Sequence, residues 1–180
     1  MWYKNSIFFI IFYPKIKIAL ASSAIVMETL NDESKFEEDM MFNKLDKNHS
    51  KTINSEIASK YGLTLEQTKI LLESHGVKVE MYFASEHNFE SFLKCIKNSF
   101  SGVESYILVN FKTGDVGYSW DVGHFSPICA YNSKNDSILL LDVWPSEKRW
   151  WIPSSNLYES LKAIDFDSKK SRGWLVISRK

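Results

Sequence analysis

Apolar residues change their spacing along this chain of 180 residues, and the change divides it into two halves. Residues 19–31, "ALASSAIVMETLN", carry small and apolar side chains with strong helix formers, and Asn31 and Asp32 stand ready to end a helix there. A helix so rich in Ala and Ser and so poor in charge belongs inside the protein. Residues 32–56 are polar and charged and read as a loop with one or two helical turns. The next stretch, "GLTLEQTKILLESHGVKVEMY", is well punctuated. Thr64 and Gln67 form a capping box, Leu65, Ile70, Leu71 and Leu72 supply an apolar side, and Gly76 sits where a helix-ending glycine belongs. Residues 77–83 then alternate as a strand. In "NFESFLKCIKNSF", Phe89, Phe92, Leu93 and Ile96 recur at helical spacing.

From residue 105 the period becomes that of strands. "SYILVNF" is a short buried run, "KTGDVG" a turn, "HFSPICAY" a strand, "NSKND" a turn and "SILLLDVW" another strand. After "PSEKRWWIP" come a short helix, "SSNLYESLKAI", and a terminal strand, "RGWLVISRK". Helices first and antiparallel strands afterwards predict an α+β fold.

Composition adds exclusions. With 44% hydrophobic and 24% charged residues the chain suits one globular domain with a real core. Twenty-two basic residues balance twenty-two acidic ones, so the basic excess of a nucleic-acid binder is missing. Two cysteines, Cys95 and Cys129, build neither a disulfide framework nor a C-x-x-C zinc site, and a reducing, cytoplasmic setting is expected. The four histidines are scattered, which predicts no metal held by the protein. "DKNHSKTINSEI" imitates a calcium loop but has Lys51 in place of the turn glycine, and Glu56 falls one position early. Residues 1–18 form an aberrant or signal-like apolar start. The apolar run 7–13 is far short of the ~20 residues that cross a bilayer, and Pro14, Lys15 and Lys17 interrupt it before the "ALA" that resembles a cleavage site.

One constellation carries chemistry. In "GHFSPICAYNSKNDSILLLDVW", a hairpin pivoting on Lys134 pairs residues whose numbers sum to 268. Asp142 then sits opposite Ser126, and His124 becomes its diagonal neighbour on the same face, ~7–8 Å away at the backbone and within side-chain reach. That fits an imidazole whose Nδ1–H is held by a carboxylate, as in a general base. Spacing alone favours the plainer reading, a histidine that starts a strand and an aspartate that ends one before a turn.

The wording of the motif is more specific. It resembles the "GHFSPIGGY…D…ILDV" signature of the phytochelatin synthase family, papain-like enzymes acting on glutathione, and "GLTLEQTKILLESHGVKVE", "VNF" at 109–111 and "SRGWLVISR" extend the likeness over residues 19–179. The resemblance implies a single catalytic domain at 19–180 with a papain-like α+β fold, its N-terminal helices packed on an antiparallel sheet. It implies a Cys–His–Asp triad that releases glycine from glutathione and passes the γ-glutamylcysteinyl group to a second glutathione or to water. His124 and Asp142 match the family's histidine and aspartate. The imidazole would deprotonate the thiol and later protonate the glycine amine, while the carboxylate steadies the imidazolium.

The chain departs from the pattern at the nucleophile. The family's cysteine lies in a segment like "YCGLAS" at the start of a buried helix, and the match here resumes at Leu20, so Ile18 occupies the cysteine position and Ala19 that of the next glycine. No glutamine for an oxyanion hole precedes it in "SIFFIIFYPKIK". Ser22 and Ser23 lie one turn further along, and Cys129 is at odd separation from His124 on one strand, which puts it on the other face. Two readings follow: an enzyme whose true nucleophile segment is hidden by an altered start, or an inactive relative that binds glutathione or thiol peptides. Glutathione is the expected partner, with Arg172 and Arg149 as candidates to grip its carboxylates, because a guanidinium fork holds such groups in two places. The chain lacks the cysteine-rich extension of plant-type relatives, so a heavy-metal ion such as cadmium is expected only as the glutathione thiolate complex. A homodimer is left open. Signal cleavage after Ala21 would cut into the first helix, which favours the cytoplasm over export.

Overall fold

The computed structural model describes residues 18–31, 38–102, 104–143 and 151–180. The apolar start and Arg149 lie outside the described residues.

Helix α1 (Ile18–Asn31) forms where small and helix-favouring residues predict it. Leu20, Met27 and Leu30 are fully buried, as are the small Ser22 and Ser23. Short side chains let the helix backbone approach the sheet, and Ser22 Oγ donates a 3.0 Å hydrogen bond to the carbonyl of Phe125. The polar stretch that follows holds a second helix, α2 (Ser55–Tyr61), started by Asn54, whose side chain accepts from the Ile57 amide at 3.0 Å. Helix α3 (Leu65–Ser74) carries the predicted capping box: Thr64 Oγ1 accepts from the Gln67 amide at 3.2 Å, and Gln67 Oε1 from the Thr64 amide at 2.9 Å. Gly76, at φ +85°, turns the chain out of it, which only glycine does without cost. Helix α4 (Phe89–Ser99) buries Phe92 and Ile96, two of the four residues that mark its apolar stripe.

The strands are β1 (Lys78–Phe83), β2 (Ser105–Lys112), β3 (Gly123–Asn132), β4 (Ser137–Leu140), β5 (Trp151–Pro153) and β6 (Gly173–Ser178), with α5 (Ser154–Leu161) between the last two. They form one sheet in the order β1-β6-β2-β3-β4-β5, and every pairing is antiparallel. The α+β arrangement with N-terminal helices is as the sequence predicts. Strand β5 has no counterpart in that prediction, because three residues are too few for a period to show. Strand β4 is shorter than the apolar run "SILLLDVW", and its pairing ends at Leu140.

Both faces of the sheet are covered. Leu108, Phe125, Leu175 and Ile177 face a core shared with α1 and α3. Val109, Phe111, Ile128, Leu140 and Trp174 face another, shared with α4 and α5. Two-sided burial explains why β2 and β6 read as continuous apolar runs rather than alternating ones.

Candidate active site

The site lies where β3 begins, and a fault in the β3–β4 ladder completes it. Near the turn, Asn132 pairs with Ser137, Tyr131 with Ile138 and Ala130 with Leu139; then the register shifts, and Ile128 pairs with Leu140. The extra residue is Cys129, a β-bulge. The bond from the Leu141 amide to the Pro127 carbonyl, 2.9 Å, continues the shifted register. Without the bulge Asp142 would fall opposite Pro127, on the face away from His124. With it, Asp142 and His124 share a face, as the assumed pairing required, although the pivot at the turn lies half a residue beyond Lys134.

His124 and Asp142 do meet. Asp142 Oδ1 lies 3.0 Å from His124 Nε2, and both side chains are nearly inaccessible, at 0% and 5% exposure. The nitrogen differs from the expected one: Nε2 faces the carboxylate, while Nδ1 is buried without a hydrogen-bond partner among the described residues.

The loop from β2 to β3 builds a wall around the imidazole. Thr113 ties the loop together, donating to the Trp120 carbonyl at 2.7 Å and accepting from the Val122 amide at 3.0 Å. Trp120 and Phe111 present their rings to His124 edge-on, with centroids 5.2 and 5.3 Å away, and Tyr118 leans against it at 5.9 Å. The Tyr118 hydroxyl donates to Asp142 Oδ2 in a short hydrogen bond. Neither aromatic stood out in the sequence. Their signal was their place in "GYSWDVGH", between a turn glycine and the histidine.

His124 opens onto a cleft of about 470 Å³, lined also by Ile18, Ala19 and Leu20 from the first turn of α1, with Tyr61, Val122 and Phe166 at its exposed mouth. Ile18, the residue expected at the cysteine position, thus lines the same cleft as the histidine. Ser22 does not serve as a substitute, since its hydroxyl is buried and spent on Phe125. Cys129 is exposed on the bulge and does not line the cleft.

Arg172 forms the opposite side of the cleft. Its Nη1 donates to Asn110 Oδ1 at 2.7 Å and meets Asp165 Oδ2 at 3.1 Å. Burial pushes the guanidinium pKa below its usual value, opposed by the negative charges of Asp165 and Asp167. A Cβ on Gly123 would stand 2.3 Å from Arg172 Nη1, so the glycine before His124 is what lets the arginine cross the strand there. Asn110 and Gly123 were also missed, because nothing local marks a residue whose partner lies some 50 or 60 positions away; Asp165, seven positions before Arg172, was missed because no helical or strand period links the two. Among the described residues, no group of three or more His, Cys, Asp or Glu stands together to hold a metal ion. Among them also, no helix is long and apolar enough to cross a membrane.

These elements are those of a known family. A family model described as phytochelatin synthase matches residues 16–174, and the chain belongs to that family. It is 30% identical to glutathione gamma-glutamylcysteinyltransferase 1 of Arabidopsis thaliana over 128 residues, which cover 69% of this chain and 26% of that protein. It is also 30% identical, over 123 residues, to the glutathione gamma-glutamylcysteinyltransferase of Schizosaccharomyces pombe, covering 66% of this chain and 28% of the relative. The chain thus matches about a quarter of the length of these curated relatives.

Proposed function

We propose that residues 19–180 form a phytochelatin synthase-type domain whose cleft binds glutathione, with His124 and Asp142 as its acid–base pair. The observation that carries this reading is the buried His124, with Nε2 on Asp142 and Nδ1 unpartnered among the described residues, beside the cleft that also holds the first turn of α1. A neutral imidazole with its proton on Nε2 presents a lone pair at Nδ1, as a general base must.

In the family's chemistry a thiol at the first turn of α1, favoured as thiolate by the helix N-terminus, attacks the carbonyl between cysteine and glycine. Nδ1 takes the thiol proton and returns it to the leaving glycine amine, while Asp142 steadies the imidazolium. The γ-glutamylcysteinyl thioester is then released to a second glutathione or to water. Ile18 has no atom for the attack. This polypeptide therefore binds glutathione, alone or as its cadmium thiolate complex, and does not cut it. Arg172 is the candidate to meet a substrate carboxylate, from a guanidinium already steadied by Asn110 and Asp165.

The test uses the 180-residue chain with glutathione, with and without cadmium. Binding is followed by calorimetry, and free glycine and γ-Glu-Cys by mass spectrometry. The expected result is binding without release, and release in Ile18→Cys that His124→Ala abolishes. Release by the unchanged chain that depends on His124 would place a nucleophile elsewhere and overturn the assignment at position 18. Absence of binding would overturn the substrate.

A further inference from the structure

We infer that Tyr118 is a positioning residue: by donating to Asp142 it keeps that carboxylate an acceptor, and so fixes the His124 proton on Nε2. The inference rests on reading His124 as the site's acid–base group. Asp142 lies two residues past the end of β4, and the Leu141 amide makes the last sheet bond before it. Among the contacts its carboxylate makes are His124 at Oδ1 and Tyr118 at Oδ2. A phenol at neutral pH donates, so Oδ2 accepts and the carboxyl is favoured as its anion; an anionic Oδ1 is acceptor-only and takes the hydrogen bond from Nε2–H. The lone pair is then left at Nδ1, which has no partner among the described residues. Tyr118 also stacks edge-on against Trp120, 5.1 Å away, which helps keep water from replacing its hydroxyl.

Without that donor the buried carboxylate loses stabilisation as an anion, and the imidazole restores it by taking a second proton. The base would be consumed by an ion pair. Other described charges around His124 are mutually occupied. Arg172 across the cleft meets Asp165 at 3.1 Å with Asp167 close by, and Lys112 in the loop meets Asp121 at 3.2 Å and Asp115 at 3.9 Å. Ile18, Ala19 and Leu20 of α1, which line the cleft, bring no charge, and Tyr61 lines it too.

The experiment follows the His124 ring by NMR across pH in the full chain, with nitrogen shifts reporting the tautomer and His124→Ala giving the assignment. Tyr118→Phe is expected to raise the imidazole midpoint by about one pH unit, tenfold in proton affinity, as losing a hydrogen bond to a charged group implies. Site-specific 3-fluorotyrosine at position 118, a stronger donor of nearly the same shape, is expected to lower it. That substitution carries the test if Tyr118→Phe does not fold. A Tyr118 that merely fills space would change stability and leave the midpoint and tautomer unmoved in both variants, and that result overturns the inference. Loss of glutathione binding without a shifted titration would instead count against the proposed substrate.

Discussion

Substituting Gly123 by alanine adds one methyl group at an exposed strand position, where such a change would ordinarily cost almost nothing. Here the new Cβ would lie 2.3 Å from Arg172 Nη1, 2.5 Å from Nη2 and 2.6 Å from Cζ. That is roughly 1 Å or more inside van der Waals contact. The guanidinium is the end of a flexible side chain and can retreat. Retreat breaks the 2.7 Å bond to Asn110 and the 3.1 Å contact with Asp165, both in a setting where Arg172 and Asp165 are only 12% and 13% exposed. A hydrogen bond to a charged group contributes about 1.5–3 kcal/mol, and a displaced arginine recovers part of the loss from water. The expected destabilisation is therefore about 2–4 kcal/mol in urea unfolding followed by tryptophan fluorescence. The control is the same change in an Arg172→Ala background, where the obstacle is gone and Gly123→Ala is expected to cost less than about 1 kcal/mol. Equal costs in the two backgrounds would refute the account, as would a cost below about 0.5 kcal/mol in the parent, which is the range of ordinary surface changes.

Two further expectations concern parts of the fold away from the cleft. Thr64→Ala removes one half of the capping box of α3 and is expected to lower stability by about 1 kcal/mol; an unchanged urea midpoint would show that the cap is not engaged in solution. The Tyr131 hydroxyl donates to Asp136 Oδ1 at 2.7 Å, and that bond, with some burial, raises the phenol to about 12. Because the folded value lies above the unfolded one of about 10, the bond's contribution is whole below pH 10 and is lost as pH rises through 12. The stability difference between the parent and Tyr131→Phe should then be constant at neutral pH and vanish over that alkaline window; a difference that persists beyond it would count against the bond.

What was legible in the residues was local. The capping box at Thr64, the apolar stripe of α4 and the Ala/Ser-rich start of α1 each declare themselves within a few turns of helix, because helix hydrogen bonds and side-chain contacts join residues three or four apart. The polar stretch read as a loop leading into a helix, but not where that helix runs, because the seven residues of α2 offer too short an apolar face to register against a charged background. His124 and Asp142 were legible as a pair because a hairpin is also local, but only through an assumed pairing that the turn itself does not obey.

The sequence alone determined the class of fold and the order of most of its elements, and it singled out a histidine and an aspartate that meet and an isoleucine that lines the cleft beside them. These depend on residue type and on spacing along the chain. The bulge at Cys129 that returns Asp142 to the histidine's face, the choice of Nε2 over Nδ1, the Tyr118 bond to the carboxylate and the passage of Arg172 over Gly123 belong to the assembled sheet. Each is set by contacts between segments that come within reach of one another only when β6, β2, β3 and β4 are side by side, and no period in the chain encodes such a meeting.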